Sequence, residues 1–137
     1  MALKMTMSNP FRIKNIENSS GHPTRWYSSR QENAVAKAIG GKPTPNSGAT
    51  TFQPGDVSID NLFSLECKTK TSNSDSISIK RAWFDKQIAE NIQSGKKYSA
   101  IVINFGPDAP YNENHYIIDE YLFQELLDYL RSKNDEN

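Results

Sequence analysis

The sequence predicts an α/β protein in which a central mixed β-sheet is flanked by helices. Two segments with helical periodicity end at glycines, two short alternating segments can form a hairpin, and one strand contains the continuous apolar run AIVI. The predicted order is helix, three strands, helix and strand, followed by an edge strand and a closing helix. Because each element must bury its apolar side against a neighbour, this order favours helices packed on the faces of one sheet.

The 137 residues suit one ordinary domain, which we expect to span residues 25–137. Residues 1–24 lack a clear period and end in the turn-rich segment NSSGHPT, so we expect an arm or a poorly ordered lead-in there. The hydrophobic content of 36% predicts a thin core, which a partner chain could supplement. The only cysteine is Cys67, which excludes an internal disulfide framework and is typical of a reducing compartment.

The composition also excludes some partners. The sequence has no apolar run near the ~20 residues that span a bilayer, so we expect no membrane partner. Its start, MALKMTMSNP, lacks the apolar segment of a secretory signal, and we therefore expect a cytoplasmic protein. It has no Gly-rich phosphate loop of the type G-x-x-x-x-G-K-[ST], so we expect no nucleotide cofactor.

Charge is zero overall but unevenly distributed along the chain. Residues 1–100 contain 14 Lys and Arg against 8 Asp and Glu, a net charge of +6. Residues 101–137 contain 2 against 8, a net charge of −6. This split fits a basic face that contacts nucleic acid with an acidic helix elsewhere, and it fits an acidic tail on an average domain equally well.

The first helix is predicted within SSRQENAVAKAIGG, residues 28–41. Ser29 and Glu32 have the spacing of a capping box, and Gly40 with the next glycine marks the end. The following segment, KPTPNSGATTFQPG, is turn-rich, with a short strand predicted at residues 49–52. The segments DVSID and FSLECKTK alternate as strands, and the polar segment SNSDS is predicted to be a loop.

The second helix is predicted within ISIKRAWFDKQIAENIQSG, residues 77–95. Ser78 can cap it, Gly95 can end it, and an apolar face repeats every four residues at Phe84, Ile88 and Ile92. The strand KKYSAIVINFG follows and is expected to be buried on both faces. HYIID is predicted to be an edge strand, and EYLFQELLDYLRSK an amphipathic closing helix.

The hydrophobic pattern fixes the register of the predicted hairpin. Side chains alternate between the two faces of a strand, so Val57 and Ile59 share a face with Leu65 only if the loop is three residues long, residues 60–62. That register pairs position 57 with 65 and position 59 with 63. A two-residue loop would turn these apolar residues to the opposite side.

The same register places two carboxylates opposite each other. Asp56 lies across from Glu66 on the polar face, and Lys68 follows two residues later on that face. Directly opposed carboxylates repel each other, which destabilises a sheet unless a cation lies between them. Lys68 together with Lys70 can balance them as a solvated charged face, and a divalent metal ion can balance them better.

These residues resemble the motifs of the PD-(D/E)xK nuclease superfamily. Gly55-Asp56 resembles its first metal-binding motif, with Gly-Asp in place of Pro-Asp, and the segment ECK at residues 66–68 resembles its (D/E)xK motif. Glu32 in RQENAVAKA matches a glutamate that the family carries on the preceding helix, although a capping box would explain this glutamate by itself. The predicted order of elements matches the family core, αβββαβ. The resemblance covers about residues 29–105.

Within the superfamily, the loop NSGATTFQPGDV and the small size are most similar to archaeal-type and phage Holliday junction resolvases. These enzymes carry a serine in the turn before the aspartate, and Ser47 is the matching residue. The resemblance implies that Asp56, Glu66 and the backbone carbonyl of Cys67 hold Mg²⁺, for which Mn²⁺ can substitute. It implies that Glu32 holds a second ion or its water.

The resemblance also implies the remaining roles. The catalytic set would be completed by Lys68, which orients or helps to deprotonate the attacking water. Ser47 would lie near the scissile phosphate, and Gln87 on the second helix would point toward the site, although a simple helix-flank amide explains this glutamine as well. Charge alone suggests further phosphate contacts, each of which is also explained as a solvated surface residue. They are Lys70, Lys80, Arg81, Lys86, Lys96 and Lys97.

The remaining candidates are less specific. Arg25-Trp26-Tyr27 combines a cation with aromatic rings and could grip DNA, while packing at the helix entry explains it about as well. His22 and His115 have no partners at metal-ligand spacing and are expected to be surface residues.

The sequence therefore favours a magnesium-dependent endonuclease that acts on DNA, with four-way junctions as the expected substrate. Such a junction has two-fold symmetry, so a homodimer is expected. The AIVI strand and the closing helix are candidates for its surface. Three alternatives stay open at this point: a restriction-type or other endonuclease of the same superfamily, a non-catalytic DNA-binding module on the same fold, and an interaction domain whose motif match is accidental.

Overall fold

The computed structural model describes residues 21–44, 55–108 and 113–136. The described helices are α1 (Thr24–Ile39), α2 (Arg81–Ser94) and α3 (Glu120–Asp135), and the described strands are β1 (Lys42–Pro43), β2 (Val57–Ile59), β3 (Phe63–Thr69), β4 (Tyr98–Asn104) and β5 (His115–Ile117). The strands form one mixed sheet in the order β1-β2-β3-β4-β5, in which only β3 and β4 run parallel. The predicted α/β class is confirmed. No helix in these ranges is long and apolar enough to cross a membrane.

The register of the β2–β3 hairpin is the one that the hydrophobic pattern predicts. Val57 pairs with Leu65 and Ile59 with Phe63, across a three-residue loop that begins at Asp60. Asp60 has a φ of 46°, a left-handed conformation that aspartate tolerates better than most residues. The loop is closed by the N–H of residue 62, which donates to the Ile59 carbonyl at 3.0 Å.

The core lies between α1 and one face of the sheet. Val35 of α1 is fully buried against Val57, Leu65 and Val102. These strand residues share a face because the sheet register brings them to the same side. The AIVI run of β4 is buried throughout, as predicted, so it closes the core of this chain and is not available as a dimer surface.

Two predicted helix starts are wrong. α1 begins at Thr24 with Pro23 at its N-cap, so Ser29 lies inside the helix and forms no capping box with Glu32. α2 begins at Arg81, after Lys80 at the N-cap, and Ser78 does not cap it. The predicted ends are correct, because the glycines at positions 40 and 95 both adopt the left-handed conformation that terminates a helix.

The predicted apolar face of α2 is also wrong. Ile88 and Ile92 are 60% and 80% exposed, whereas Gln87 is buried. The reason is the polarity of the sheet face beneath α2, where Ser64 donates its hydroxyl hydrogen to the Asn91 side chain at 2.8 Å. Polar groups buried under a helix must find partners, so α2 turns its amides inward and leaves its isoleucines outside.

The three strands between α1 and α2 are present, but the first of them is Lys42–Pro43, in a segment predicted to be turn-rich. The strand predicted at residues 49–52 lies outside the described residues, as do Ser47 and most of the predicted N-terminal arm. The predicted edge strand and closing helix are both confirmed.

The backbone at Gly55 lies so close to β3 that a side chain has no room there. Gly55 has a φ of 76°, and a Cβ at this position would lie 2.8 Å from the Leu65 carbonyl oxygen. Gly95 has a similar φ of 73° but open space around it. We expect Gly95→Ala to lower the free energy of unfolding by about 1 kcal/mol, from the left-handed conformation alone, and Gly55→Ala to lower it by about 1–3 kcal/mol more.

Urea denaturation of the two variants at one temperature measures this difference. Equal losses for the two variants would show that the close approach of Gly55 to β3 does not constrain the fold.

Candidate functional site

The candidate site lies beside the first residue of β2, where β3 extends past β2 and is paired only with β4. The Asp56 N–H donates to the Leu65 carbonyl at 2.7 Å, and the Cys67 N–H donates to Asp56 Oδ2 at 2.8 Å. The Asp56 side chain therefore takes the place of the next strand residue in the ladder. The Thr44 N–H also donates to the Asp56 carbonyl at 2.8 Å, so the main chain of Asp56 is held on both sides. Its carboxylate is consequently fixed against the exposed edge of β3.

The Cys67 carbonyl lies on the same edge. In an extended strand the N–H and C=O of one residue point toward the same neighbour, and the Cys67 N–H points to Asp56. The Cys67 thiol is packed against the core, where burial raises its pKa well above the ordinary value. This placement makes the thiol a poor nucleophile, because burial favours its protonated form.

Glu66 is almost completely buried beside this edge. Its Oε1 lies 3.5 Å from Lys68 Nζ and 3.9 Å from Lys86 Nζ. Burial and the neighbouring charge of Asp56 raise the pKa of Glu66, while the two lysines oppose this rise. The net shift is upward, so the two cations do not fully compensate for the burial of the carboxylate and its neighbour.

Glu32 extends toward the same carboxylates from the middle of α1. The pKa of Glu32 is raised to about 7, first by partial burial and then by the charge of Asp56; Arg25 lowers it, and Glu66 raises it by a smaller amount. The structure thus brings three acidic side chains, two from the hairpin and one from the helix, into one electrostatic cluster. Because α1 has its cap at Pro23, Glu32 has no capping role that would explain its position.

Lys68 is held by an aromatic ring that the sequence analysis did not single out. Its Nζ lies 4.8 Å from the centroid of the Trp83 ring, in addition to its contact with Glu66. Trp83 and Lys86 are three residues apart on α2, so both face β3. That spacing, together with the predicted site on β3, is the signal that could have identified this pair.

Gln31 joins the elements that carry the site. Its side chain is almost fully buried, and Nε2 donates to the carbonyls of Lys68 at 3.1 Å and Val102 at 3.2 Å. The same nitrogen lies 3.3 Å from Asn114 Oδ1. One amide therefore ties α1, next to Glu32, to the ends of β3 and β4. Its position four residues before Val35, on the buried face of α1, is the sequence signal for its burial.

The residues predicted to contact DNA differ in their exposure. Lys70, Lys80 and Arg81 are exposed, and Arg81 pairs with Asp85 at 3.8 Å. Gln87 is buried, and its Nε2 donates to the Ala100 carbonyl at 2.8 Å, which gives this amide a structural partner within the fold. Its contact with DNA stays a prediction, and Ser47 lies outside the described residues.

The donors at this edge are of the type that Mg²⁺ prefers. They are the carboxylates of Asp56 and Glu66 and the Cys67 carbonyl, all hard oxygen ligands. Within residues 21–44, 55–108 and 113–136, no three His, Cys, Asp or Glu side chains are gathered as a ready-made metal site. Mg²⁺ commonly uses one or two carboxylates with several waters, so the donor set fits this ion without a complete protein cage.

No protein-family model, curated protein or solved structure matches this chain. The resemblance to PD-(D/E)xK nucleases therefore rests on the motifs and on their arrangement at the edge of β3.

The raised pKa of Glu32 makes a prediction about stability. Between its ordinary value of 4.5 and about 7, the folded protein keeps a proton that the unfolded chain has released. Stability therefore falls as the pH rises through this range. Glu32→Gln removes the effect, and we expect its free energy of unfolding to exceed that of the wild type at pH 8 by on the order of 1 kcal/mol, with solvent screening allowed for.

Denaturation at pH 4 and pH 8 measures this effect, and the gain should be absent at pH 4. Glu113→Gln, at an exposed glutamate, is the matched control and should show no pH-dependent gain. A loss of stability in Glu32→Gln at pH 8 would contradict the electrostatic cluster.

Proposed function

We propose that this protein is a metal-dependent DNA endonuclease that hydrolyses phosphodiester bonds, with four-way junctions as its substrate. The observation that carries the proposal is the arrangement of Asp56, Glu66 and Glu32 beside Lys68. Asp56 Oδ2 accepts from the Cys67 N–H, Glu66 Oε1 lies 3.5 Å from Lys68 Nζ, and burial together with the neighbouring carboxylates raises the pKa of both glutamates. Like charges gathered in a partly buried place destabilise a fold, so such a cluster is typical of a functional site.

Mg²⁺ would be held by Asp56, Glu66 and the Cys67 carbonyl, with Glu32 placed for a second ion or its water, and Mn²⁺ could replace it. When bound, the metal supplies a more acidic water and stabilises charge on the leaving oxygen. Asp56 contributes a carboxylate that its bond from the Cys67 N–H holds in a fixed orientation. Such fixed ligands need little reorganisation when substrate arrives.

Lys68 serves the reacting phosphate. Its ammonium group is held by Glu66 on one side and the Trp83 ring on another, so it can donate hydrogen bonds to the attacking water and offset phosphate charge. Hydrolysis joins the water oxygen to phosphorus and breaks the bond to the 3′ oxygen. The products are a 5′-phosphate and a 3′-hydroxyl, and the departing 3′ oxygen takes a proton.

DNA would approach along the exposed cations around this edge. Lys70 follows β3 directly, while Lys80 and Arg81 stand at the start of α2, the helix that carries Trp83. The Arg81 side chain is 92% exposed, so its ion pair with Asp85 is weak in water and can exchange for a phosphate.

A two-fold junction suits a homodimer, and α3 offers the surface. Among the described residues, its exposed large apolar side chains are Tyr121, Phe123, Leu126, Tyr129 and Leu130. Such a concentration of apolar side chains on one helix is typical of a surface that a partner covers. Leu122 of α3 is buried within the chain and is not part of this surface.

The dimer surface can be tested with charge. We expect Leu126→Lys to convert a dimeric wild type into a monomer, because each interface would bury two uncompensated cations. Sedimentation velocity measures the change. Gln124→Lys adds the same charge on the same helix without removing an apolar group and should remain dimeric. A wild type that sediments as a monomer, or a dimer that survives Leu126→Lys, contradicts the assignment.

The activity itself can be tested with a labelled four-way junction beside linear duplex of the same sequence, in Mg²⁺ and in EDTA. We expect paired nicks across the junction in Mg²⁺ and no cleavage in EDTA. Asp56→Asn should lower the rate at least about 100-fold. Its binding to DNA should stay equal or become tighter, because a charge that repels phosphate is removed.

Asp128→Asn, at an exposed carboxylate of α3, is the matched control and should cut like the wild type. Cleavage of linear duplex at the same rate would keep the nuclease and exclude junction selectivity. DNA binding without any metal-dependent cleavage would favour the non-catalytic DNA-binding alternative.

A further inference from the structure

The first turns of α1 carry a stack of rings and cations on one side of the helix. The His22 imidazole lies parallel to the Trp26 ring, with centroids 3.8 Å apart and an interplanar angle of 11°. The guanidinium of Arg30 lies 5.2 Å from the centroid of the Trp26 ring. Trp26 and Arg30 are four apart on α1, the spacing that brings side chains to one helix face, and His22 stacks on Trp26 from the segment before the helix. The position of His22 shows that the indole accepts a flat ring at stacking distance.

The charges beside this stack oppose the helix dipole. α1 has no acidic residue in its first turn and no side-chain cap at Pro23, yet Arg25 lies in that turn. The N-terminal end of a helix favours anions, so a cation there costs stability. Within the described ranges, neither Arg25 nor Arg30 lies within 4.0 Å of a carboxylate oxygen. A phosphate bound here would compensate both the arginines and the helix end.

The stack borders an open groove of about 590 Å³. Its lining combines the aromatic ring and the arginines with hydrogen-bonding groups, and consists of Pro23, Arg25, Trp26, Ser29, Arg30 and Asn33. This volume is in the range of sites that take small organic ligands. A polar, cationic groove with one aromatic wall suits a planar base and its phosphate.

The groove also lies next to the candidate active site. Arg25 is close enough to Glu32 to affect that carboxylate electrostatically, and Asn33 is the neighbour of Glu32 on α1. A strand that entered the groove would therefore reach the acidic cluster within a short distance along the helix.

From this arrangement we propose that His22, Arg25, Trp26 and Arg30 form a binding surface for unpaired nucleotides of DNA, called here the Trp26 surface. A base stacks on the ring pair, either over His22 or in its place, and Arg25 and Arg30 bind the flanking phosphates. The assignment rests on the proposed function, because it states which part of the DNA lies beside the cluster. An acidic peptide would satisfy the arginines, but it would not use the flat face of the indole.

Fluorescence anisotropy tests the Trp26 surface in EDTA, where no DNA is cut. The probes are a fluorescein-labelled blunt duplex and the same duplex with a single-stranded extension. We expect Trp26→Ala to weaken binding of the extended probe about 5- to 100-fold and that of the blunt duplex much less, because one stacked base is lost. Trp26→Phe should retain most of the affinity, which separates loss of stacking from loss of folding. Arg25→Gln and Arg30→Gln should each reduce the salt slope by about one.

The matched control is Tyr116→Ala on β5. Tyr116 is 41% exposed and belongs neither to the Trp26 surface nor to the exposed apolar side chains of α3. Its affinity for both probes should equal that of the wild type.

Three outcomes overturn the Trp26 surface. Trp26→Ala could bind the extended probe as tightly as the wild type does, or it could bind both probes more weakly by the same factor. Polyglutamate could also displace the extended probe from the wild type as effectively as unlabelled DNA does. Junction cleavage in Mg²⁺ is measured separately. A wild type that cuts no DNA but binds the extension through Trp26 contradicts the nuclease and keeps the surface. A wild type that cuts junctions without any dependence of binding on Trp26 keeps the nuclease and contradicts the surface.

Discussion

The hydrogen bond from the Cys67 N–H to the Asp56 side chain is the contact on which the candidate site depends. The ladder between β2 and β3 stops at the Val57–Leu65 pair, because the Asp56 side chain and not a backbone group receives the Cys67 N–H. The edge of β3 beyond this pair is open. The same bond aims one carboxylate along that edge, beside the buried Glu66. If a backbone group filled this place, the sheet would be more regular. The Asp56 carboxylate would then not lie at the edge of β3, and Glu32 on α1 would not have it as a neighbour.

The charges at this edge lower the stability of the fold and, under the proposed function, would attract a cation. Glu32 and Glu66 are partly buried beside Asp56, and the pKa values of both glutamates are raised despite the cations near Glu66. A fold selected only for stability would replace one of them with an amide. Under the proposed function, a bound metal ion would offset this repulsion, and the oxygen donors are of the kind that Mg²⁺ prefers. Gln31 then keeps α1 and β3 in place while the charges repel.

The hairpin register was predictable from the sequence because a single period of two governs both the apolar and the acidic residues. The site residues that lie on it, Asp56, Glu66 and Lys68, came together as expected. The helix starts were not predictable by capping rules, since α1 begins at a proline without a capping side chain. The orientation of α2 failed for a tertiary reason: the sheet face beneath it is polar, which no local periodicity in α2 reveals. Trp83 was missed for the same reason, because its role depends on which side of α2 faces β3.

The three-residue loop after Ile59 has a consequence for how this protein can evolve. Surface loops usually tolerate insertions, and this one is exposed. Here one added residue would favour a shift of β3 by one position against β2, which would turn Glu66 toward the core and Cys67 toward the acidic edge. The fold could survive such a change while the site disappeared. Among descendants that keep the cluster, the length of this loop should therefore vary less than its amino-acid identities, a pattern opposite to that of ordinary surface loops.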